Sequence, residues 1–233
     1  MNAAASRAVN APLEGDLSLN ETAYIRLKNA LVTLEYKPGE YLNIAQVMER
    51  LGLGRTPIHQ ALHRLSTEGL IQIIPRKGAM AAPLSINDAL ELIDVRLVNE
   101  MLCVRLAAKL ITDAELHELH AVASDFEMAA NKQQSTVLMN ADRRFHELIA
   151  VASRNTILQD ILNVLHARSQ RFWAISLSSD GHIAEVIAEH CEIVVALERR
   201  DGESAAEAVR THVLSFKASL LRMPTTEGSR PRA

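Results

Sequence analysis

Four side chains in the second half of the chain have types and spacing that could do chemistry: Asp142, His146, His190 and His212. Asp142 and His146 are four residues apart, so on a helix they share a face. Leu138, Ala141, Phe145 and Ile149 flank them at helical spacing, which turns that face toward a core. His190 sits in the middle of a second stripe that includes Val186, Ile193 and Leu197, and His212 in a third with Val209, Phe216 and Leu220. A turn at Asp201 joins these last two segments, and each histidine is eleven residues from it. That is about 16 Å along a helix, so antiparallel packing brings the two imidazoles to one level. Interior polar groups need partners. A divalent metal held by three imidazoles and one carboxylate would provide one. The donor set suits several first-row ions, with zinc the first expectation and nickel or manganese the alternatives. Taken singly, each histidine also fits a satisfied core residue.

The elements that must position these groups are helices. From Ser85 onward the 3.6-residue pattern predicts helices over about 85–110, 112–131, 135–153, 156–177, 183–199 and 204–221. Ser85 with Asp88, Thr112 with Glu115 and Ser204 with Glu207 have capping-box spacing. Asn155 reads as a further cap, and 178–182 as a polar loop. Beyond the four central residues the signals are weaker. Arg96 and Glu100 are one turn apart and could form a salt bridge or face a ligand. Arg168 and Arg171 with Trp173 could clamp a carboxylate, stack on a ring, or line a solvated face. His117 and His120 read as a solvated face, and His166 and His182 as surface or loop. Glu189 and Cys191 flank His190 but point elsewhere around the helix.

The first third of the chain has a different pattern. Its stretch LGLGRTPIHQALHRLSTEGL runs from Leu51 to Leu70. Ile44, Val47, Met48 and Leu51 form a short stripe, and Gly52 and Gly54 interrupt it. Thr56 then reads as an N-cap with Pro57 at the first helical position, ahead of a stripe of Ile58, Ala61, Leu62 and Leu65. His59, Gln60, His63 and Arg64 occupy the opposite face, and Gly69 ends the helix. Two strand-like runs follow, at 70–74 and 79–83, around the cationic turn Pro75, Arg76, Lys77, Gly78. The whole describes a helix-turn-helix with a wing. In such a module Arg55 and the start of the second helix enter a major groove. There His59, Gln60, His63 and Arg64 meet base edges or phosphates, while Arg76 and Lys77 flank the minor groove.

Composition agrees with local rather than general nucleic-acid binding. The 233 residues carry a net charge of −3, but 20–85 hold eight Lys/Arg against five Asp/Glu, a balance of +3 that leaves −6 elsewhere. Two cysteines suggest no disulfide framework, and no apolar run approaches a membrane span, so the expected compartment is the cytoplasm. The fold class expected is mainly α: an N-terminal winged helix-turn-helix with a small hairpin wing, then an antiparallel all-α bundle of six to seven helices. The divisions expected are a flexible arm at 1–19, the DNA-binding domain at 20–84, the bundle at 85–224 and a polar tail at 225–233.

PGEYL, LGLGRTPIHQALHRLSTEGLI and PRKGAMAAPLS together resemble the winged helix-turn-helix of the GntR family of bacterial transcription regulators. NADRRFHELIAVASRN and AEHCEIVVALERRDGESAAEAVRTHV resemble its FCD effector domain. The resemblance implies DNA contacts from Arg55, Thr56, Arg64 and the wing glycine Gly78. It also implies a metal on Asp142, His146, His190 and His212, and a small organic acid at the open metal positions with Arg96 facing it. His59, Gln60 and Ile44 depart from the family's usual residues, which concerns the operator sequence rather than DNA binding itself. The function expected is a ligand-responsive repressor. It would bind a pseudo-palindromic, double-stranded operator as a homodimer and release it on binding a carboxylate. A regulator that senses the metal alone and a helical metal-dependent hydrolase are the alternatives.

Overall fold

The computed structural model describes residues 17–176 and 182–222. The expected arm up to residue 16, the loop at 178–181 and the tail at 225–233 fall outside the described residues. Contacts divide the chain into two compact units with a boundary between Ala82 and Pro83, and Val32–Leu34 grouped with the second.

The first unit holds α1 (Leu19–Val32), β1 (Tyr41–Leu42), α2 (Ile44–Leu51), α3 (Arg55–Thr67), β2 (Ile71–Ile74) and β3 (Gly78–Ala81). Asn43 starts α2 by accepting hydrogen bonds on Oδ1 from the backbone of Ala45 (3.1 Å) and Gln46 (3.3 Å). Gly52, at φ +64°, ends it in the left-handed conformation that lets the chain turn into α3. The predicted stripe of α3 is the buried one: Ile58, Ala61, Leu62 and Leu65. At its end the Leu70 N–H reaches the Leu65 carbonyl and the Gly69 N–H the Ser66 carbonyl, a Schellman closure with Gly69 at φ +76°. Thr56 does not cap the helix. α3 begins two residues earlier than Pro57, at Arg55, and the N-cap position is Gly54, which has no side chain to offer. The wing is also larger than a hairpin. β1 pairs antiparallel with β3 to give a three-stranded sheet of order β1-β3-β2. Two residues are too short for alternation to show, so β1 left no mark in the pattern.

The second unit consists of α4 (Ile86–Leu110), α5 (Asp113–Asn131), α6 (Ser135–Ala152), α7 (Thr156–Ser176), α8 (His182–Glu198) and α9 (Gly202–Arg222). α4 packs on α9, α6 and α7, α5 bridges α6 and α8, and α8 lies against α9. Of the three predicted capping boxes only Thr112 with Glu115 forms. Ser85 makes no side-chain cap. Ser204 is inside α9, because Asp201 caps it from three residues upstream by accepting the Glu203 and Ser204 N–H groups at 3.2 and 3.1 Å. Asn155 caps α7 through the Leu158 N–H. No described helix is long and apolar enough to cross a membrane.

Candidate metal centre and nucleic-acid interface

The bundle brings the four expected ligands together. α6 supplies Asp142 and His146, α8 supplies His190 and α9 supplies His212. The His190 and His212 rings are 5.0 Å apart, as two helices of matched height require, and His146 lies 5.7 and 5.3 Å from them. Ligand nitrogens of all three fall within 4.8 Å of one another. Asp142 Oδ1 is 3.8 Å from His146 Nε2 and 3.6 Å from His190 Nε2. The three imidazoles are buried. Phe145 stacks on His190 at 4.1 Å and Phe126 tilts against it at 5.0 Å, which fixes that ring in place.

His190 tests whether the residues fit an ion. Neither of its ring nitrogens has a hydrogen-bond partner among the described residues, although both are shielded from solvent. An imidazole left in that state costs stability unless something accepts its lone pair. Burial, followed by the neighbouring His212, holds His190 well below the usual histidine range. Burial, then His166, does the same for His146. Both are therefore neutral, the form that binds a metal. Burial pushes the Asp142 carboxyl up, against the lowering effects of His212 and Arg96.

Charge points the same way. Around the histidines lie three carboxylates, Asp142, Glu100 and Glu189, and one buried guanidinium, Arg96. The carboxylates outnumber the guanidinium, an acidic balance that a divalent cation would offset. Arg143 also reaches the cavity, but Glu147 pairs with it at 3.2 Å.

Two residues read from the sequence as peripheral lie at this centre. His166 is buried, not on the surface, with Nε2 3.1 Å from Glu100 Oε1 but outside hydrogen-bond geometry. It belongs to an inward stripe of α7 that runs Leu158, Leu162, His166, Ser169, Gln170, Trp173, a periodicity that could have revealed it. Glu189 does not point away. It turns toward α9, where its Oε2 lies 2.9 Å from His212 Nδ1. Cys191, by contrast, is exposed.

Arg96 forms the salt bridge and faces the cavity at once. Its Nε donates to Glu100 Oε1 at 2.6 Å, its Nη1 to Ser169 Oγ at 2.6 Å, and it lines the same space as Asp142, His146, His166 and His212. Arg96 is the first among the lowering influences that overcome burial and hold Glu100 well below the usual carboxylate range. The cavity is small, about 30 Å³ open to the centre of a water molecule. Arg168 and Arg171 do not line it. Arg171 is buried elsewhere on α7, and burial, followed by Arg168, pulls its guanidinium down to about 10.

In the first unit, all the positions expected at DNA are exposed: Arg55, Thr56, His59, Gln60, His63 and Arg64 on α3, and Arg76, Lys77 and Gly78 at the wing. Arg55 and His59 border an open groove between α2 and α3 with Ile44, Met48 and Leu53. Arg76 takes φ +64° and Gly78 φ +100°, so the wing turns on two left-handed residues. Arg64 is committed within the unit. Its guanidinium sits 3.4 Å over the Tyr24 ring, 2.9 Å from Glu21 and 3.4 Å from Glu68, which braces α3 on α1.

The chain thus joins a winged helix-turn-helix to a helical bundle that encloses a small polar cavity. Residues 91–215 match the family described as FCD domain and residues 19–80 that described as bacterial regulatory proteins, gntR family. The first alone spans more than half the chain, and the protein belongs to the FCD-bearing branch of the GntR family, which are transcription regulators rather than enzymes. It is 25% identical over 202 residues to the HTH-type transcriptional repressor RspR of Escherichia coli K12, covering 87% of this chain and 89% of that one. With the galactonate operon transcriptional repressor of the same strain it shares 26% over 225 residues, covering 85% and 96%. Escherichia coli McbR/YncC has the same fold, with a TM-score of 0.81 over 88% of this chain and 98% of that one, at 23% identity.

Proposed function

We propose that this regulator represses transcription as a homodimer on a pseudo-palindromic operator, and that a divalent ion on Asp142, His146, His190 and His212 forms the floor of its effector site. The observation that carries the reading is His190, buried beside two more imidazoles and a carboxylate, with no hydrogen-bond partner for either nitrogen among the described residues. Zinc suits the nitrogen-rich donor set, with nickel and manganese as alternatives. When bound, the ion would supply positive charge and open coordination positions for a small organic acid, while Arg96 faces the same space. A cavity of about 30 Å³ restricts that acid to a compact head group in this conformation. The same smallness favours a second reading, in which the ion alone is the signal.

On the DNA side, Arg55, Thr56, His59, Gln60 and His63 form the recognition surface, with Arg64 as its brace. Arg76, Lys77 and Gly78 form the wing contact. A single module offers few base contacts, so two related by a dyad are required. Val95, Val98 and Leu102, a stripe on α4 with Val98 70% exposed, give the bundle an apolar face for a second copy. Effector or ion binding would favour one arrangement of the bundle and so change how the two DNA modules are held.

The reading is tested by selecting genomic fragments on the zinc-loaded protein. Operator release is then followed by fluorescence anisotropy with a panel of two- to six-carbon mono- and dicarboxylates, added with and without zinc. Release by one acid only in the presence of zinc supports the effector site. Release that follows zinc with no acid supports the metal sensor, and no enriched fragment overturns both. Arg76→Ala is expected to weaken operator binding and to lower the slope of log affinity against log salt by about 1 for each wing. An unchanged slope removes Arg76 from the phosphate contacts.

A further inference from the structure

We propose that Glu189 is a positioning residue for the cation site: its carboxylate holds the His212 ring so that Nε2 turns its lone pair to the ion. The inference rests on the metal reading above and adds a residue that touches no metal itself. Glu189 Oε2 lies 2.9 Å from His212 Nδ1, and both side chains are largely buried, at 13% and 7% exposure. An ionised carboxylate only accepts hydrogen bonds, so Nδ1 must carry the proton and Nε2 is left as the donor atom. Hydrogen bonding of this kind fixes the tautomer and ring orientation of a ligating histidine and strengthens it as a base.

The arrangement follows from the sequence order on α8. Glu189 and His190 are consecutive, so their side chains diverge by about 100° around the helix. Glu189 reaches His212 Nδ1 on α9 while His190 packs against the His146 and His212 rings, and a single turn of α8 thus supplies a ligand and the support for a second. No Lys or Arg pairs with Glu189 among the described residues, so its buried charge has His212 as its partner. The other ligands lack this support. Among the described residues His190 has no hydrogen-bond partner, and His146 Nδ1 stands 3.8 Å from Glu100, whose other oxygen is taken by Arg96.

The test uses the full chain, stripped of metal and reloaded. Zinc affinity is measured by competition with a chromophoric chelator, and cobalt(II) serves as a spectroscopic probe of the same site. Glu189→Gln is expected to weaken zinc binding roughly 10- to 100-fold and to shift the cobalt ligand-field bands, while the metal-free protein keeps its helical spectrum. Glu185→Gln, one turn earlier on α8 and exposed, should leave both readouts unchanged. If the glutamine variant does not fold, Glu189→Asp, which draws the carboxylate back from the ring, is measured in its place. Wild-type zinc affinity and an unaltered cobalt spectrum in a folded Glu189 variant would overturn the positioning role alone. Failure of the unaltered chain to bind zinc or cobalt would instead remove the site, and the role of Glu189 with it.

Discussion

His190→Ala is expected to abolish stoichiometric metal binding. The loss should exceed the roughly 100-fold that marks the upper end for outer-shell partners, because a ligand itself is removed. Thermal melting makes the prediction quantitative. A ligand at about 100 times its Kd stabilises the form that binds it by about 2.7 kcal/mol. For a bundle of this size that corresponds to a rise of about 5–10 °C in the Tm of the second unit. Zinc should produce that rise in the wild type and none in the variant. Alanine also empties the space between Phe145 and Phe126, so the metal-free variant will itself melt lower. His212→Gln separates the two effects, since it removes the ligand while filling more of the volume. Retained zinc content in both variants would exclude the site.

The second large effect is at the other unit. Arg55→Ala is expected to reduce operator binding to the nonspecific level and leave metal content unchanged. A bidentate arginine to a guanine edge contributes about 1–3 kcal/mol of discrimination, and a two-fold dimer uses it twice. Arg55 is exposed at the first position of α3, and no ion pair holds it among the described residues. A cation there opposes the helix dipole, at a cost of about 0.3–1 kcal/mol. Its removal should therefore leave the fold as stable or slightly more stable. That combination, lost binding without lost stability, distinguishes a base-reading residue from a structural one. Footprinting that persists in Arg55→Ala would refute the assignment. Arg64→Ala should behave differently, lowering the stability of the first unit because Tyr24, Glu21 and Glu68 lose their shared partner.

What could be read from the sequence was whatever repeats along a helix. The α3 stripe, the Gly69 ending and the placing of Asp142 and His146 on one face all follow from the 3.6-residue period. So does the pairing of His190 with His212, because equal distances from the Asp201 turn fix equal heights. Features set by tertiary context were not legible. β1 is two residues long and exists only because β3 lies beside it. Asp201 outcompetes Ser204 as a cap, which spacing alone does not decide. Glu189 and His166 show the same limit within the site. Glu189 lies off the apolar stripe of α8, whereas His166 lies on the α7 stripe, and each acquires its role from a group on another helix, His212 in one case and Glu100 in the other. Arg64 presents the converse: a charge on the expected face is drawn back onto α1.

If a cation-centred cavity in the bundle governs how two recognition helices meet DNA, the metal state of the protein must change its operator affinity. The most direct measurement is an anisotropy titration of the selected operator at one salt concentration, with protein stripped of metal and protein loaded with zinc. Coupling of about 1–3 kcal/mol between sites corresponds to a change in Kd of about 5- to 150-fold, and a difference in that range is the expected result. Superimposable curves, with zinc shown to be bound in one sample and absent from the other, would contradict it.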